Sequence, residues 1–267
     1  MKPLISAENV RDLRPAQVWD IRGEAFYLNG HWPGAFTLDV KHWENLARMP
    51  SHALDQRDAW MREFGRVGID STVPVLVYDD GRMTEAARVW FILQVHGVDA
   101  RVVDGGWNAL VRALPASGPE MKVHVPVPTF CNCPTDHEPT VKLVTRHVLR
   151  DSLLGQVQVL DARTNAEFLG EDLRSNSRGG HLPGAKSLPH AGLLGGDGTL
   201  KNTEDLRMRL QEADVHLDKP VVTHCDAGGR GALAALAAVA AGHRDVSAYY
   251  LSYSDWAADG TCEVSLD

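Results

Sequence analysis

The sequence predicts an α/β protein made of two related domains, each an open, mainly parallel sheet with helices on both faces. Two short apolar runs, "PVLVY" (74–78) and "PVVTH" (220–224), have the composition of strands buried on both faces of a parallel sheet. Each is followed by a longer helical pattern, "TEAARVWFILQVHG" (84–97) and "GALAALAAVAAGH" (231–243), in which a glycine beside a histidine indicates the helix end. This alternation of strand and helix predicts layered β–α units.

An internal repeat of domain size predicts that the chain contains two copies of this fold. "VWDIR" (18–22) recurs as "VLDAR" (159–163), and "GHWPGA" (30–35) recurs as "GHLPGA" (180–185). The first pair is offset by 141 residues and the second by 150, so we expect an insertion of about nine residues within 169–179. More weakly, "VDGGWNAL" (103–110) matches "YYLSYSDW" (249–256).

The boundary between the copies is predicted in the segment 116–142, which is rich in proline and polar residues as exposed linkers are. The N-terminal domain is then residues 1–115 and the C-terminal domain residues 143–267. With 44% hydrophobic and 23% charged residues, both are expected to be globular and soluble.

Charge and cysteine usage limit the expected partners and compartment. A net charge of −8 argues against nucleic acid as a partner, and no apolar run is long enough to indicate a membrane span. The N-terminus lacks the apolar region of an export signal, and four cysteines in 267 residues do not suggest a disulfide framework. We therefore expect a cytoplasmic protein with reduced thiols.

A cysteine lies where the second apolar strand is predicted to give way to its helix. Ligands of parallel sheets bind beyond the carboxyl ends of the strands, and a helix N-terminus stabilises a thiolate. We therefore predict that Cys225 is a nucleophile. The predicted active-site loop that follows it comprises Asp226, Ala227, Gly228, Gly229 and Arg230.

The roles of the other loop residues follow from their types. The glycines permit backbone angles that other residues avoid, and Arg230 either adds positive charge or braces the loop. In the first copy Asp79 stands in place of the cysteine. A carboxylate at this position cannot serve as a thiol nucleophile, so the sequence predicts a catalytic second domain and a non-catalytic first one.

These motifs together resemble the rhodanese-type sulfurtransferases. The resemblance rests on Cys-x-x-Gly-x-Arg after a buried strand, "GHLPGA" upstream and "DAR" (161–163), and it covers about residues 4–256. The repeat is similar to the two-domain group of thiosulfate and 3-mercaptopyruvate sulfurtransferases, in which only the C-terminal half carries the active cysteine.

The resemblance implies a two-step sulfur transfer. Cys225 would take a sulfane sulfur from a small donor, form a persulfide and pass the sulfur to cyanide or to a thiol acceptor such as thioredoxin. The resemblance implies no metal and no organic cofactor.

The identity of the donor is less closely defined. The corresponding loop is strongly basic in thiosulfate enzymes and small and polar in mercaptopyruvate enzymes, and Asp226 with Ala227 departs from both patterns. The resemblance implies that Arg163 and Arg174 hold a donor carboxylate, which favours 3-mercaptopyruvate over thiosulfate. The alternatives are an ion pair between Arg163 and Glu167 and a plain solvated charge at Arg174.

Two other functions compete with sulfur transfer. His224-Cys225 followed by Arg230 is similar to a phosphatase loop, but four residues separate the cysteine from the arginine where that motif has five. A non-enzymatic persulfide carrier or sensor is the other alternative.

Some further residues have chemistry but no predicted catalytic role. Cys131 and Cys133 could form a redox pair or, with His137, half of a metal site, but exposed linker cysteines without a role are favoured. His31 and His181, in the two repeated turns, are expected to make structural hydrogen bonds.

Overall fold

Each half of the chain folds around its own five-stranded sheet. The computed structural model describes residues 2–131, 133 and 136–267. It divides into one unit of Met1–Pro139 with Gly196–Thr199 and a second of Thr140–Gly195 with Leu200–Asp267. The predicted linker 116–142 is thus grouped with the first unit as far as residue 139.

The sheet of the first unit is wholly parallel, with the strand order β1-β5-β4-β2-β3. Its strands are β1 (Leu4–Ile5), β2 (Gln17–Asp20), β3 (Phe36–Thr37), β4 (Val75–Tyr78) and β5 (Ala100–Val103). Parallel neighbours require crossover connections, and helices supply most of them. The helices are α1 (Glu24–Leu28), α2 (Val40–Ala47), α3 (Arg57–Val67), α4 (Thr84–Val95) and α5 (Gly106–Ala113).

The central strand of this sheet is covered on both faces. All four residues of β4 are buried, and α4 packs against β4 and β5. Leu76 and Tyr78 of β4 point into a core cluster with Tyr27 of α1 and Leu110 of α5. Side chains alternate along a strand, so Val75 and Val77 bury the opposite face. The run 74–78 is therefore continuously apolar because β4 is buried on both faces, as the sequence predicted.

The second unit repeats this topology with the strand order β6-β10-β9-β7-β8, again wholly parallel. Its strands are β6 (Lys142–Val144), β7 (Gln158–Asp161), β8 (Ala185–Ser187), β9 (Val221–His224) and β10 (Val246–Tyr249). Its helices are α6 (Arg146–Val148), α7 (Asn165–Phe168), α8 (Thr203–Glu212), α9 (Gly229–Ala240) and α10 (Ser252–Ala258). The prediction of two copies of one α/β fold is confirmed.

The predicted helix ends are confirmed as well. Helix α4 ends at Val95 and helix α9 at Ala240, and Gly97 and Gly242 beyond them adopt positive φ angles of 89° and 95°. The predicted insertion lies between α7 and His181, because Phe168 and His181 are much farther apart in sequence than Leu28 and His31 of the first unit.

The expectation that the linker cysteines are exposed is wrong. Cys131 and Cys133 are each only 3% exposed, and their sulfur atoms lie 3.7 Å apart. The segment that carries them lies on α3, where the Thr129 N–H donates to the Gly65 carbonyl at 2.9 Å. A Cβ at Gly65 would lie 2.3 Å from the Thr129 carbonyl oxygen, so glycine is required for this approach. A proline-rich composition indicates a connection but not the surface on which it packs.

His137 is the residue that could join the two cysteines in half of a metal site. His137 Nε2 lies 2.8 Å from the Gln94 carbonyl oxygen, so this nitrogen is engaged by the backbone. In the part of the chain that the structure describes, no helix has both the length and the apolar character needed to cross a bilayer.

Candidate active site

The carboxyl end of β9 delivers Cys225 to the start of α9. The side chain is buried, with 1% of the residue exposed, and the Gly228 N–H donates to its sulfur at 3.1 Å. Asp226, Ala227 and Arg230 around it are half-buried. The sulfur therefore lies at the N-terminus of α9, at the positive end of the helix dipole, where an anion is stabilised.

The loop is clamped from outside by the junction of β10 and α10. The Cys225 N–H donates to Ser252 Oγ at 3.1 Å, and the Tyr253 N–H donates to the Cys225 carbonyl at 2.9 Å. The Ser252 hydroxyl also lies 3.9 Å from the Cys225 sulfur. Ser252 adopts a positive φ of 63°, a strained conformation that positions its hydroxyl under the cysteine. The sequence did not indicate a role for Ser252. Its counterpart in the first repeat is Gly106, which in the structure also has a positive φ.

Two glycines let the loop and helix approach their neighbours closely. Gly228 has a φ of 98°, and a Cβ there would lie 2.8 Å from both the ring and the carbonyl oxygen of Tyr250. A Cβ at Gly231 would lie 3.0 Å from the backbone of His224. Glycine is therefore required at 228, whereas a side chain at 231 would need the His224 backbone to shift by a few tenths of an ångström.

Arg230 closes the loop by binding a buried carboxylate. Its two terminal nitrogens lie 2.6 and 2.8 Å from the two oxygens of Glu167, which is 1% exposed. Burial alone would raise the pKa of Glu167, but the hydrogen bonds from Arg230 and Thr164 hold that pKa well below its usual range. Of the two roles predicted for Arg230, bracing is the one that these contacts describe.

Arg174 also binds Glu167, through Nε at 3.2 Å, while about half of its side chain stays exposed. Two guanidinium groups thus share one carboxylate, so these three side chains carry a net charge of about +1, which the half-buried Asp226 of the cysteine loop offsets. Arg174 therefore remains open to an anionic ligand.

Arg163 is not placed to bind a substrate. It is 2% exposed, and its guanidinium pairs with Asp161 at 2.6 Å, donates to the Gly180 carbonyl and stacks over the Tyr253 ring. The alternative ion pair with Glu167 is not formed either. The "DAR" motif instead forms an internal ion pair, since the backbone turn folds the arginine back onto the aspartate two residues earlier.

The insertion contributes a support that the sequence analysis did not foresee. Asn176 donates to Asp226 Oδ1 at 2.7 Å, which ties the insertion to the cysteine loop. Arg178 donates to four backbone carbonyls at or just after the end of α10, those of Trp256, Ala257, Asp259 and Cys262. In the sequence, only the change of offset between the two repeats, from 141 to 150 residues, indicated an insertion here.

In the first unit a carboxylate fills the corresponding cradle. Asp79 Oδ1 accepts the N–H groups of Gly81 and Met83 at 2.9 and 3.0 Å, and Oδ2 accepts those of Glu85 and Ala86 at 3.2 Å each. Asp79 thus occupies the anion position at the start of α4. That the first unit takes no part in catalysis stays a prediction.

The histidines of the repeated turns make the structural hydrogen bonds that were predicted. His31 Nδ1 bonds the Tyr27 carbonyl at 2.8 Å, and His181 Nδ1 bonds the Phe168 carbonyl at 3.0 Å. Each ring also stacks on that aromatic side chain, at 3.8 and 3.7 Å between centroids.

His224 is fully buried next to Cys225, with Nε2 3.6 Å from Asp161. Burial lowers the pKa of His224, and the nearby Asp161 carboxylate opposes that shift.

Comparison with known proteins relates this geometry to one family. The family model described as rhodanese-like domain matches residues 6–113 and 146–259. The 3-mercaptopyruvate sulfurtransferase of Escherichia coli K12 is 30% identical over 234 residues, covering 87% of this chain and 82% of that protein. The thiosulfate sulfurtransferase of Azotobacter vinelandii is 31% identical over 254 residues, covering 89% and 86%.

A solved structure shows the same similarity. The crystal structure of SseA from Escherichia coli, reported for 3-mercaptopyruvate sulfotransferases, superposes with a TM-score of 0.78 at 26% identity. The match covers 95% of this chain and all of that one.

Proposed function

The chain belongs to the rhodanese-like domain family, and on that premise we propose that it is an enzyme that transfers the thiol sulfur of 3-mercaptopyruvate to a thiol or cyanide through a persulfide on Cys225. The observation that carries the proposal is the sulfur of Cys225, held 3.1 Å from the Gly228 N–H at the start of α9. The fixed dipoles at the N-terminus of α9 stabilise a thiolate at this position, and they would also stabilise the negative charge of a persulfide. The proposal includes a reducing compartment, which keeps the thiol free.

The first half-reaction breaks the carbon–sulfur bond of the donor. The Cys225 thiolate attacks the donor sulfur, the electron pair of the C–S bond stays on carbon, and the resulting enolate takes up a proton to leave as pyruvate. Cys225 is then a persulfide, and no external oxidant is needed. The loop N–H groups hold the new terminal sulfur without moving.

The second half-reaction regenerates the enzyme. An acceptor thiolate or cyanide attacks the outer sulfur, the S–S bond breaks and Cys225 leaves as a thiolate. The products are an acceptor persulfide or thiocyanate. Because the two half-reactions are separate, ping-pong kinetics are expected.

The charge around the loop supports a donor that carries one carboxylate. Arg174 and Arg230 together with Glu167 leave one positive charge, and Asp226 adds a negative charge close to Cys225. Because these charges sum to about zero, a dianion such as thiosulfate gains little from them, and the proposed preference for a single carboxylate rests on bidentate contact with Arg174. Without Arg163, Arg174 is the remaining candidate of the two predicted arginines.

The test is steady-state sulfur transfer to cyanide, with 3-mercaptopyruvate and thiosulfate compared for wild type, Cys225→Ser and the control Cys262→Ser. We expect kcat/KM to be at least about tenfold higher for 3-mercaptopyruvate, equivalent to about 1.4 kcal/mol, and Cys225→Ser to be inactive. Mass spectrometry of donor-treated protein is expected to show one added sulfur atom on Cys225.

Other outcomes would contradict the proposal in different ways. Preference for thiosulfate would overturn the donor assignment alone. An added sulfur without turnover would indicate a carrier or sensor, and hydrolysis of a phosphate ester without sulfur transfer would indicate a phosphatase.

A further inference from the structure

Three metal-ligating side chains converge in the first unit. His31, Glu120 and His124 each offer one ligand atom, and these atoms lie within 4.8 Å of one another. It is the one group of three or more such residues found in the part of the chain that the structure describes. We infer that these three side chains bind a zinc ion, which joins the segment after α5 to the repeated turn of the first unit.

His31 is already oriented as a metal ligand. Its Nδ1 lies 2.8 Å from the Tyr27 carbonyl, which can only accept, so Nδ1 carries the proton and Nε2 presents its lone pair. The residue is completely buried, and among the described residues Nε2 has no hydrogen-bond partner. An unpartnered buried nitrogen is costly, and a ring fixed by a carbonyl at its other nitrogen is typical of metal-bound histidine.

The backbone fixes the other two ligands beside it. His31 and Glu120 exchange two backbone hydrogen bonds of 2.9 Å, and the Gly34 N–H donates to Glu120 Oε2 at 2.7 Å. The His124 N–H donates to the Tyr27 hydroxyl at 2.9 Å, and His124 Nε2 lies 2.9 Å from Glu120 Oε2. Tyr27 therefore positions both histidines, through its carbonyl and its hydroxyl.

The chemistry of the donor set selects the ion. Imidazole nitrogen and carboxylate oxygen bind Zn²⁺ at about 2.0–2.2 Å, so tetrahedral ligand atoms lie roughly 3.3 Å apart. His124 Nε2 and Glu120 Oε2 already lie 2.9 Å apart, and all three ligand atoms lie within 4.8 Å of one another. Three protein ligands leave the fourth position for water.

The repeated turn of the second unit offers a comparison, because it holds His181 in the place of His31 but lacks a glutamate and a histidine corresponding to Glu120 and His124 among the described residues. His181 makes the same Nδ1 hydrogen bond and a bridge to Ser265, and its Nε2 lies 3.4 Å from Asp267. The repeated turn thus supplies the ring orientation in both units, and Glu120 with His124 makes the first one a three-ligand site. His181→Gln is accordingly a matched control.

The test is zinc binding by the full chain, measured by isothermal titration calorimetry and by the unfolding temperature with and without added Zn²⁺. We expect one Zn²⁺ per chain, a raised unfolding temperature, and at least about tenfold weaker binding in Glu120→Gln and His124→Gln. His181→Gln and Cys133→Ser are expected to bind as wild type does.

The inference is overturned if no zinc binds, if Glu120→Gln and His124→Gln bind zinc with wild-type affinity, or if Cys133→Ser abolishes binding. His124 is partly exposed, so its variant decides the question even if a variant of the buried His31 does not fold. Sulfur transfer is not part of any readout.

Discussion

The guanidinium of Arg230 binds both oxygens of the buried Glu167, at 2.6 and 2.8 Å. The arginine that follows the cysteine is therefore one half of an ion pair and not a free cation. Its partner belongs to α7, so the pair ties the start of α9 to the helix that follows β7. The local geometry at Cys225 depends on this connection as much as on the loop itself.

Breaking this pair is expected to destabilise the second unit strongly. Glu167→Gln leaves Arg230 without its anion, and loss of one partner of a buried pair costs about 3 kcal/mol or more. Replacing both residues by apolar ones, Glu167→Leu with Arg230→Met, is expected to cost less than the two single changes together. Urea unfolding of the single and double variants measures these losses in unfolding free energy. If the losses of the single variants add up to that of the double variant, the pair is not coupled. Lys142→Gln, which removes an exposed pair with Asp245, is the control and is expected to cost less than about 1 kcal/mol.

The same carboxylate makes stability depend on pH. The folded pKa of Glu167 lies below its ordinary value of 4.5, so its contribution is complete above about pH 4.5 and is lost as the pH falls further. The difference in unfolding free energy between wild type and Glu167→Gln should therefore be largest near neutral pH and shrink in acid. A difference that stays constant down to about pH 3 would show that Glu167 is not the titrating group.

Arg174 and Arg163 are expected to respond differently to removal of their charge. Arg174→Gln should raise KM for 3-mercaptopyruvate about tenfold or more while changing kcat less, because the half-exposed guanidinium is proposed to bind the donor carboxylate. Arg163→Gln should chiefly lower the unfolding temperature, because it leaves Asp161 buried without its cation. Lys186→Gln is the charge control, and an equal rise in KM there would indicate a general electrostatic effect.

Ser252 is expected to act as a positioning residue through its hydroxyl. Ser252→Ala and Ser252→Gly both remove the acceptor of the buried Cys225 N–H, but only glycine tolerates the φ of 63° without strain. We expect both variants to lower kcat with little change in KM. If the glycine variant kept wild-type kcat and only the alanine variant lost it, the backbone conformation would be what matters.

Asp79 is expected to be structural. Asp79→Ala removes the acceptor of four backbone N–H groups at the start of α4, so we expect about 3 kcal/mol of lost stability with sulfur transfer by the folded protein unchanged. Asp80→Ala, at the more exposed neighbouring carboxylate, should have little effect on stability. A large loss of kcat at full stability would mean that the first unit takes part in the reaction.

The packing of two continuous apolar runs was predictable from composition alone. "PVLVY" and "PVVTH" became β4 and β9 because only a strand covered on both faces buries every residue of such a run. The position of Cys225 followed directly, since it is the residue after β9. The glycines at 97 and 242 and the histidines of the repeated turns were equally readable, because their roles depend on local backbone geometry.

Roles that depend on distant partners were not predictable in this way. Arg163 and Arg174 look alike in the sequence, but one folds back onto Asp161 while the other reaches Glu167 and remains half-exposed. The polar composition of 116–142 suggested exposure, whereas Gly65 of α3 gives the segment a surface on which Cys131 and Cys133 are buried.

The sequence by itself therefore determined the repeated α/β fold, the position of Cys225 after a buried strand and the presence of Asp79 at the matching position of the first unit. These follow from periodicity and from residue type at fixed positions along a strand and its loop. Only the tertiary structure decided which arginine stays half-exposed, that Ser252 accepts a hydrogen bond from the Cys225 N–H, and that His31, Glu120 and His124 meet. Pairing of charged and polar side chains depends on three-dimensional distance and desolvation, and neither is written in the spacing of residues along the chain.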